Sequence, residues 1–246
     1  FNPETTDEKR QHMVLLYDDE NDLLLMGFED LNRDGWTDED FNDAIFYVTA
    51  NPITAIELKE VPPIDTPDDT DNDGVSNTFD DYPNDPELAY NNHYPAEGQN
   101  GTIVGEDLWP SFGDFDFNDL VLEYHFHNMA DPQNRVRKMV IDITVKAIGA
   151  SFHNGFGIEL PISPSKVSSV SGIDNDFEFV QIAGNGTESG QSNTVIVFFE
   201  DAYNVLPFVG NSTGINTNML EPKSDPQTVS VLIEFSTPIS LSELGV

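Results

Sequence analysis

The strongest constraint on the fold of this chain is its imbalance of charge. Its 246 residues include 45 acidic and 10 basic side chains, which gives a formal net charge of −35 at neutral pH. Folding brings like charges together, so cations or salt must offset their repulsion. A salt-adapted surface scatters its acids, whereas metal sites cluster them, and many acids are clustered here. The same charge repels nucleic acids and anionic membranes, so we expect neither as a partner.

The hydrophobic pattern predicts strands nearly throughout. Hydrophobic residues make up 38% of the chain, which is enough for a packed core. Short apolar runs alternate with turns rich in Gly, Asn, Ser and Pro, and no segment shows a persuasive amphipathic helix. The predicted strands are 14–17, 23–28, 44–49, 120–127, 139–147, 157–162, 194–199 and 229–235. This pattern predicts an all-β fold, an antiparallel β-sandwich that is jelly-roll-like with calcium-bound acidic loops.

Segment 69–80 has the spacing of a twelve-residue calcium loop. Acidic side chains stand at positions 1, 3 and 5, a glycine at position 6, and an aspartate at position 12. Ca²⁺ takes six to eight hard oxygen ligands at about 2.3–2.6 Å, which alternate residues of a tight loop can supply. The expected ligands are Asp69, Asp71, Asp73, the carbonyl oxygen of Val75, Asn77 and Asp80. No helical pattern flanks the loop, which resembles a thrombospondin type 3 repeat; the alternative is a solvated acidic linker.

A second acidic pattern, E-D-L-x(5–6)-D-x-D-F-N-D, occurs twice. In an extended chain, alternate Asp and Asn side chains project to one side, while Phe41 and Phe117 point into the core. We interpret each copy as a further calcium site. The expected ligands are Glu29, Asp30, Asp38, Asp40, Asn42 and Asp43 in the first motif, and Glu106, Asp107, Asp114, Asp116, Asn118 and Asp119 in the second. The alternatives are an acidic turn with local hydrogen bonds, or a carboxylate pair that hydrolyses glycosides.

Three smaller features allow more than one interpretation. His125 and His127 have a spacing that could hold zinc, but no third ligand is evident and solvent exposure is expected. Trp36 and Trp109 lie within the acidic motifs. We interpret each either as a sugar-stacking platform or as a lid over the metal loop. The segment 174–176 is either a further ion site or a solvated turn.

These motifs together resemble the LruC-domain proteins. The resemblance starts near His12 and is carried by the two acidic motifs, by the Asp-rich loop, and by the segments 94–96 and 107–110. Gly105 departs from it, because an aromatic residue is expected before Glu106. LruC-domain proteins are secreted or surface-exposed bacterial proteins, so the resemblance implies an extracellular location. It makes an enzyme less expected and names no ligand.

The combined prediction has three segments: an N-terminal β segment (1–60), an Asp- and Pro-rich calcium-loop linker (61–90), and a C-terminal β-sandwich (91–246). We expect a calcium-dependent binding or adhesion module, not an enzyme, with at least three Ca²⁺ ions and an extracellular glycan or peptide ligand. The alternatives are a calcium-stabilised spacer and a polysaccharide-acting hydrolase. No apolar run reaches the length of a bilayer span, so no direct membrane insertion is expected. We expect the chain to be part of a longer protein.

Overall fold

The chain forms two compact units, residues 1–67 and 68–246, here called the N-terminal and C-terminal units. The computed structural model describes residues 3–19, 21–64, 68–108, 110–173, 177–209 and 214–245. The predicted ion site at 174–176 and the predicted platform Trp109 lie outside the described residues. Within them, no helix is long and apolar enough to cross a membrane. The three-segment division remains a prediction, and the twelve-residue loop at 69–80 belongs to the C-terminal unit.

The N-terminal unit contains a three-stranded antiparallel sheet. Its strands are β1 (Met13–Asp18), β2 (Leu23–Phe28) and β3 (Ala44–Thr49), in the order β1-β2-β3. Phe28 pairs with Ala44, so β2 and β3 form a hairpin whose loop is the first acidic motif. The two strands therefore bring both ends of this motif together.

The C-terminal unit contains two antiparallel sheets. Its elements are β4 (Tyr90–Tyr94), β5 (Gly101–Gly105), β6 (Leu120–Ala130), β7 (Val136–Ala147), β8 (Phe156–Leu160), β9 (Val167–Ser171), β10 (Thr194–Phe199), the short helix α1 (Ala202–Val205) and β11 (Gln227–Ile239). The larger sheet has the order β4-β6-β7-β11-β9, and β5 pairs with the first half of β6 while β4 pairs with the second half. The smaller sheet pairs β10 with β8.

The core of the C-terminal unit lies between these sheets. Alternate residues of β7, including Ile141, Ile143 and Val145, are fully buried, and Ile196 and Phe198 of β10 belong to the same cluster. Burying these side chains is the main force that holds the sheets together. All eight predicted strands are present, and the all-β antiparallel sandwich is confirmed.

The second acidic motif occupies the same kind of position as the first. It connects β5 to β6, and Gly105 pairs with Leu120 directly at its two ends. Each unit therefore holds one copy of the motif as the loop of an antiparallel hairpin. The internal repeat seen in the sequence is a repeat of structure.

Candidate metal sites

The twelve-residue loop is wound around its own carboxylates. Its backbone turns through left-handed conformations at Asn72 (φ 63°) and Gly74 (φ 95°), the second of which favours glycine. The carboxylate of Asp69 accepts hydrogen bonds from the N–H groups of Asn72 at 2.8 Å and Gly74 at 3.0 Å. The carboxylate of Asp73 accepts one from the N–H of Val75 at 2.8 Å. These bonds engage both oxygens of Asp69 and one oxygen of Asp73, and they hold the loop in its turn.

One carboxylate oxygen on each of three aspartates in this loop lacks a donor within the described part of the chain. One ligand atom from each of Asp69, Asp71 and Asp73 lies within 4.8 Å of the others. Buried Oδ2 atoms of Asp71, Asp73 and Asp80 have no hydrogen-bond partner among the described residues, and Asp80 is only 8% exposed. Burial, together with the charges of Asp73, Asp80 and Asp69, raises the pKa of Asp71. Buried acceptors without donors are costly, so the geometry suits a bound cation.

The remaining predicted ligands of this loop have structural contacts as well. Val75 is buried, and its carbonyl oxygen remains a predicted ligand. The side-chain oxygen of Asn77 accepts a hydrogen bond from the N–H of Thr70 at 3.0 Å, and its amide donates to the hydroxyl of Thr70 at 2.8 Å. Asn77 therefore ties the start of the loop to its end, and its role as a ligand also remains a prediction.

In the first motif, a buried glutamate meets exposed aspartates. Glu29 is 2% exposed, and one of its carboxylate oxygens lies within 4.8 Å of ligand atoms from Asp38 and Asp40. Glu29 also forms an overlapping group with Asp30 and Asp43. Its Oε2 is buried and has no partner among the described residues. The structure thus brings together five of the six ligands predicted for this motif.

The second motif repeats this arrangement with equivalent residues. Ligand atoms of Glu106, Asp114 and Asp116 lie within 4.8 Å of one another, as those of Glu29, Asp38 and Asp40 do. The Oε1 of Glu106 accepts a hydrogen bond from the backbone N–H of Phe117 at 2.7 Å, whereas its Oε2 is buried without a partner in the described part of the chain. The same triad of carboxylates therefore forms in both units.

A further pair of predicted ligands closes each motif. The N–H of Asp30 donates to the carboxylate of Asp43 at 2.7 Å, and that of Asp107 donates to Asp119 at 2.8 Å. Burial, together with the charges of Asp107, Glu106 and others, raises the pKa of Asp119. These aspartates hold the two ends of the loop together, so one oxygen of each is already engaged.

The predicted asparagine ligands are also engaged within the motifs. Asn42 donates its side-chain amide to Asp40 at 2.5 Å, and Asn118 donates its amide to Asp116. An asparagine ligand would offer its side-chain oxygen instead, which these donor contacts leave available. Asn42 and Asn118 remain predicted ligands.

The expectation that both motifs are extended is wrong. Glu39, Phe41, Phe115 and Phe117 have φ angles of 54°, 57°, 61° and 53°, so alternate residues of each motif adopt the left-handed conformation. This alternation coils the chain, which allows one upstream glutamate to reach two aspartates. Phe117 does not point into the core, because it is 50% exposed. Phe41 instead lies under the guanidinium of Arg33, 4.8 Å from its ring centre.

Sequence reasoning missed the contacts that hold the second motif against the sandwich. The N–H of Gly149 donates to the carbonyl oxygen of Asn118 at 2.8 Å, and Asn154 donates its amide to Asp107 at 2.9 Å. A Cβ at Gly149 would lie 1.6 Å from the side-chain oxygen of Asn118, and one at Gly113 would lie 2.1 Å from the carboxylate of Glu106. Glycine is required at these two positions because a neighbouring side chain lies too close to leave room for a Cβ. No periodic pattern in the sequence indicates such a close approach.

The protein's own cations do not neutralise these clusters. In the part of the chain that the structure describes, none of the clustered carboxylates has a Lys or Arg nitrogen within 4.0 Å. Several clusters of acidic residues could therefore hold a metal ion. The donors are all oxygens, the ligand type that hard cations prefer.

Comparison with known proteins finds similarity in both units. Residues 134–246 match the model of a family described as domain of unknown function DUF4842, and residues 1–51 match that of domain of unknown function DUF4114. No curated protein and no solved structure matches the chain. The first acidic motif lies within the DUF4114 match, while the twelve-residue loop and the second motif lie between the two matches. The chain thus combines regions similar to two domains of unknown function, one in each unit.

Proposed function

We propose that this chain is a calcium-dependent binding module of a bacterial cell-surface or secreted protein, in which Ca²⁺ rigidifies loops that contact a glycan or peptide. One observation carries this proposal: three separate loops bury carboxylate oxygens that have neither a hydrogen-bond donor nor a basic partner among the described residues. Such a loop is strained by its own charge until a cation binds. Calcium would therefore contribute directly to the stability of the folded state.

The donor chemistry favours Ca²⁺ over other cations. Each site offers several carboxylates from one loop, which suits the variable coordination of Ca²⁺, whereas Mg²⁺ demands a near-ideal octahedron and keeps its waters. The chain has no cysteine, so it cannot offer zinc the thiolates of structural zinc sites. The twelve-residue spacing of the loop at 69–80 is itself a calcium pattern. These arguments select a hard divalent ion of the size of calcium.

Exposed aromatic side chains beside the metal loops support a binding role. Trp36 of the first motif is 90% exposed, and Phe112, which precedes the aspartates of the second, is 92% exposed. Phe115 within the second motif is also exposed. Large aromatic surfaces cost free energy in water and commonly stack on sugar rings or apolar peptide side chains. Loops held rigid by calcium would present these rings without a large entropic cost on binding.

The extracellular location rests on the resemblance of the motifs to LruC-domain proteins and on the calcium sites. Extracellular calcium modules bind with dissociation constants of about 10⁻⁴–10⁻³ M, which suits the millimolar calcium outside cells. Sites with exposed aspartates, such as Asp38 and Asp40, fit this weaker class.

Calorimetry of the full chain in about 10 mM Ca²⁺ and in excess chelator tests the calcium proposal. A calcium concentration of about 10 mM is about 100 times a dissociation constant of about 10⁻⁴ M. At that ratio each bound ion stabilises the folded state by about 2.7 kcal/mol, so two ions contribute about 5 kcal/mol to the C-terminal unit. The melting temperature of this unit should then fall by roughly 10–20 °C in chelator. Mg²⁺ at the same concentration is the control and should restore little of the loss. An unchanged melting temperature would contradict the proposal.

Glycan and peptide arrays test the binding role. The calcium-loaded chain should bind a defined class of glycan or peptide, and chelator should abolish this binding. Replacing Trp36 or Phe112 by alanine should weaken binding without changing the melting temperature, because both rings are exposed. Binding to no glycan or peptide would instead favour the calcium-stabilised spacer.

A further inference from the structure

Strand β3 of the N-terminal sheet is apolar on both of its faces. It reads AIFYVT, and alternation along the strand places Ile45 and Tyr47 on one face and Phe46 and Val48 on the other. These four side chains are between 38% and 70% exposed. Apolar residues on both faces are typical of a strand that is covered on both sides, whereas exposed edge strands usually carry charges or few apolar residues. The exposure of β3 therefore indicates a surface that a partner covers.

The outer backbone of β3, here called the β3 edge, is also unpaired among the described residues. The strand order β1-β2-β3 places β3 at the margin of the sheet, where it pairs only with β2. The opposite margin is covered by the chain itself, because Tyr17 of β1 donates its N–H to Pro62 and accepts from the N–H of Ile64, both at 2.9 Å. No such bond reaches residues 44–49 in the described part of the chain. The β3 edge thus presents a row of free N–H and C=O groups.

Acidic residues lie at both ends of the β3 edge. Asp43 directly precedes β3, and Asp22 directly precedes Leu23, which pairs with the last residue of β3. A strand of six residues is about 20 Å long, so the two acidic ends are about that far apart. Segment 11–58 contains twelve acidic residues and a single basic one, Arg33, whose guanidinium donates to two backbone carbonyl oxygens. A partner with cations at both ends of an apolar stretch complements this surface.

The same charges disfavour a second copy of the chain as this partner. Residues 1–67 contain seventeen acidic and four basic side chains, which gives the N-terminal unit a formal net charge of −13. In a twofold antiparallel pair of β3 strands, the Asp43 end of each copy would face the Asp22 end of the other, so like charges would meet at both ends. A cationic segment would meet opposite charges instead.

We propose that the β3 edge binds an extended peptide segment that has an apolar centre of about six residues and Lys or Arg at both ends. The segment adds a fourth strand to the sheet through backbone hydrogen bonds, and its side chains cover the exposed apolar residues of β3. Its cations lie against the acidic ends of the edge. This surface is a strand and not a metal loop, so the inference goes beyond the proposed calcium-dependent function. The melting temperature in chelator tests that function separately.

Fluorescence anisotropy of the full chain in about 10 mM Ca²⁺, with labelled synthetic peptides, tests the β3 edge. The probe peptide alternates Thr and Val over a six-residue centre and carries two lysines at each end. One control peptide has glutamates in place of the lysines, and the other keeps the lysines but has prolines in its centre, so it cannot pair as a strand. The probe should bind at least tenfold more tightly than either control. Equal binding of the proline peptide would reduce the effect to charge attraction and overturn the proposal, as would no binding of the probe.

A double substitution separates the apolar contacts from the charge. Ile45→Thr combined with Tyr47→Thr keeps the charge and the strand propensity, but it removes two exposed apolar side chains from one face of β3. Affinity for the probe peptide should fall at least tenfold, while the melting temperature should change little because both side chains are exposed. Leu220→Thr is the matched control, since Leu220 is an exposed apolar residue of the C-terminal unit. Equal affinity in the double variant and in Leu220→Thr would contradict the role of β3.

Hydrogen exchange and light scattering identify the occupant without relying on a variant. The probe peptide should slow exchange of the β3 amides and leave that of β1 unchanged, because segment 62–64 already covers β1. The full chain should scatter as a monomer. A dimer whose formation protects the β3 amides would assign the edge to a second copy. Full protection of these amides in the peptide-free monomer would show that another part of the chain covers them, and either result would refute the peptide site.

Discussion

Replacing Glu29 by glutamine should have opposite effects in the absence and the presence of calcium. The substitution keeps the shape of the side chain and the acceptor that receives the N–H of Leu31 at 3.2 Å. It removes one negative charge from a carboxylate that is buried and has an oxygen without a donor among the described residues. Without calcium this buried charge destabilises the folded state, whereas with calcium the carboxylate serves as a ligand. We therefore expect the metal-free protein to gain stability and the calcium-loaded protein to lose it.

The contacts of Glu29 set the size of these effects. Leaving a buried acceptor without a partner costs about 1–3 kcal/mol. Two unit charges about 4 Å apart repel by about 1 kcal/mol in water and by about 4 kcal/mol at an effective dielectric constant of 20. Asp38 and Asp40 are exposed, so the lower value applies to them. Glu29→Gln should thus stabilise the metal-free N-terminal unit by about 1–3 kcal/mol, while a tenfold loss of calcium affinity costs about 1.4 kcal/mol in the loaded state.

Hydrogen exchange of the β2 and β3 amides measures the stability of the N-terminal unit within the full chain. The assay compares the unmodified chain and Glu29→Gln, each in chelator and in about 10 mM Ca²⁺. Glu57→Gln is the matched control, because Glu57 is exposed and outside the acidic clusters, so its effect should stay within about 0.5 kcal/mol. If Glu29→Gln destabilises the protein equally in both conditions, Glu29 serves the fold through hydrogen bonding and is not a metal ligand.

Two further substitutions test the contacts around the second motif and the treatment of an isolated buried charge. Gly149→Ala should destabilise the C-terminal unit by about 1–3 kcal/mol and weaken calcium binding, because the new Cβ would lie 1.6 Å from the side-chain oxygen of Asn118. Gly184→Ala is the control, because a Cβ at Gly184 would have no neighbouring atom within 4 Å. Equal calcium affinity in both variants would contradict the role of Gly149. Burial of Asp131 opposes its ionisation, but hydrogen bonds from Arg135 outweigh burial and lower the pKa of Asp131. A lowered pKa stabilises the folded state above the ordinary pKa of aspartate, near 3.9, and the contribution disappears as the pH falls through the folded pKa. Asp131→Asn should therefore lower urea stability in chelator by about 1.5–3 kcal/mol at neutral pH and much less in strongly acidic buffer; a loss independent of pH would contradict this reasoning.

The apolar strands were predictable from the sequence, and the polar edge strands were not. Strands such as β7 and β10 bury alternate or successive aliphatic side chains, so their pattern survives any tertiary context. The missed strands β4, β5 and β9 pair with only one neighbour each and read YNNHY, GTIVG and VSSVS. Edge strands need few apolar residues, because their backbone N–H and C=O groups bond to the neighbouring strand on one side and to solvent on the other.

The candidate metal sites were predictable as clusters but not as shapes. The spacing of Glu29, Asp38 and Asp40, and of the equivalent residues in the second motif, indicated which carboxylates would meet. The left-handed turns at Phe41 and Phe117 were not predictable, because φ above zero is rare for aromatic residues and no sequence rule anticipates it. The contacts of His93 in β4 with His125 and His127 in β6 were also not predictable, because they require the register of β4 against β6, which depends on tertiary structure.

The distribution of the basic residues is the strongest argument for external cations. The chain has only ten Lys and Arg residues, and at least seven of them form ion pairs with carboxylates outside the three clusters. Arg135 shows the alternative solution, since it pairs with the buried Asp131 at 2.6 Å. The clustered carboxylates of the acidic loops do not use this solution, and in the first loop Arg33 pairs with Glu39, which lies outside the cluster. Among the described residues, the protein thus pairs an isolated buried carboxylate with its own arginine, yet it leaves its densest carboxylate clusters without a basic partner. We infer from this contrast that the clusters are arranged to bind an ion from solution.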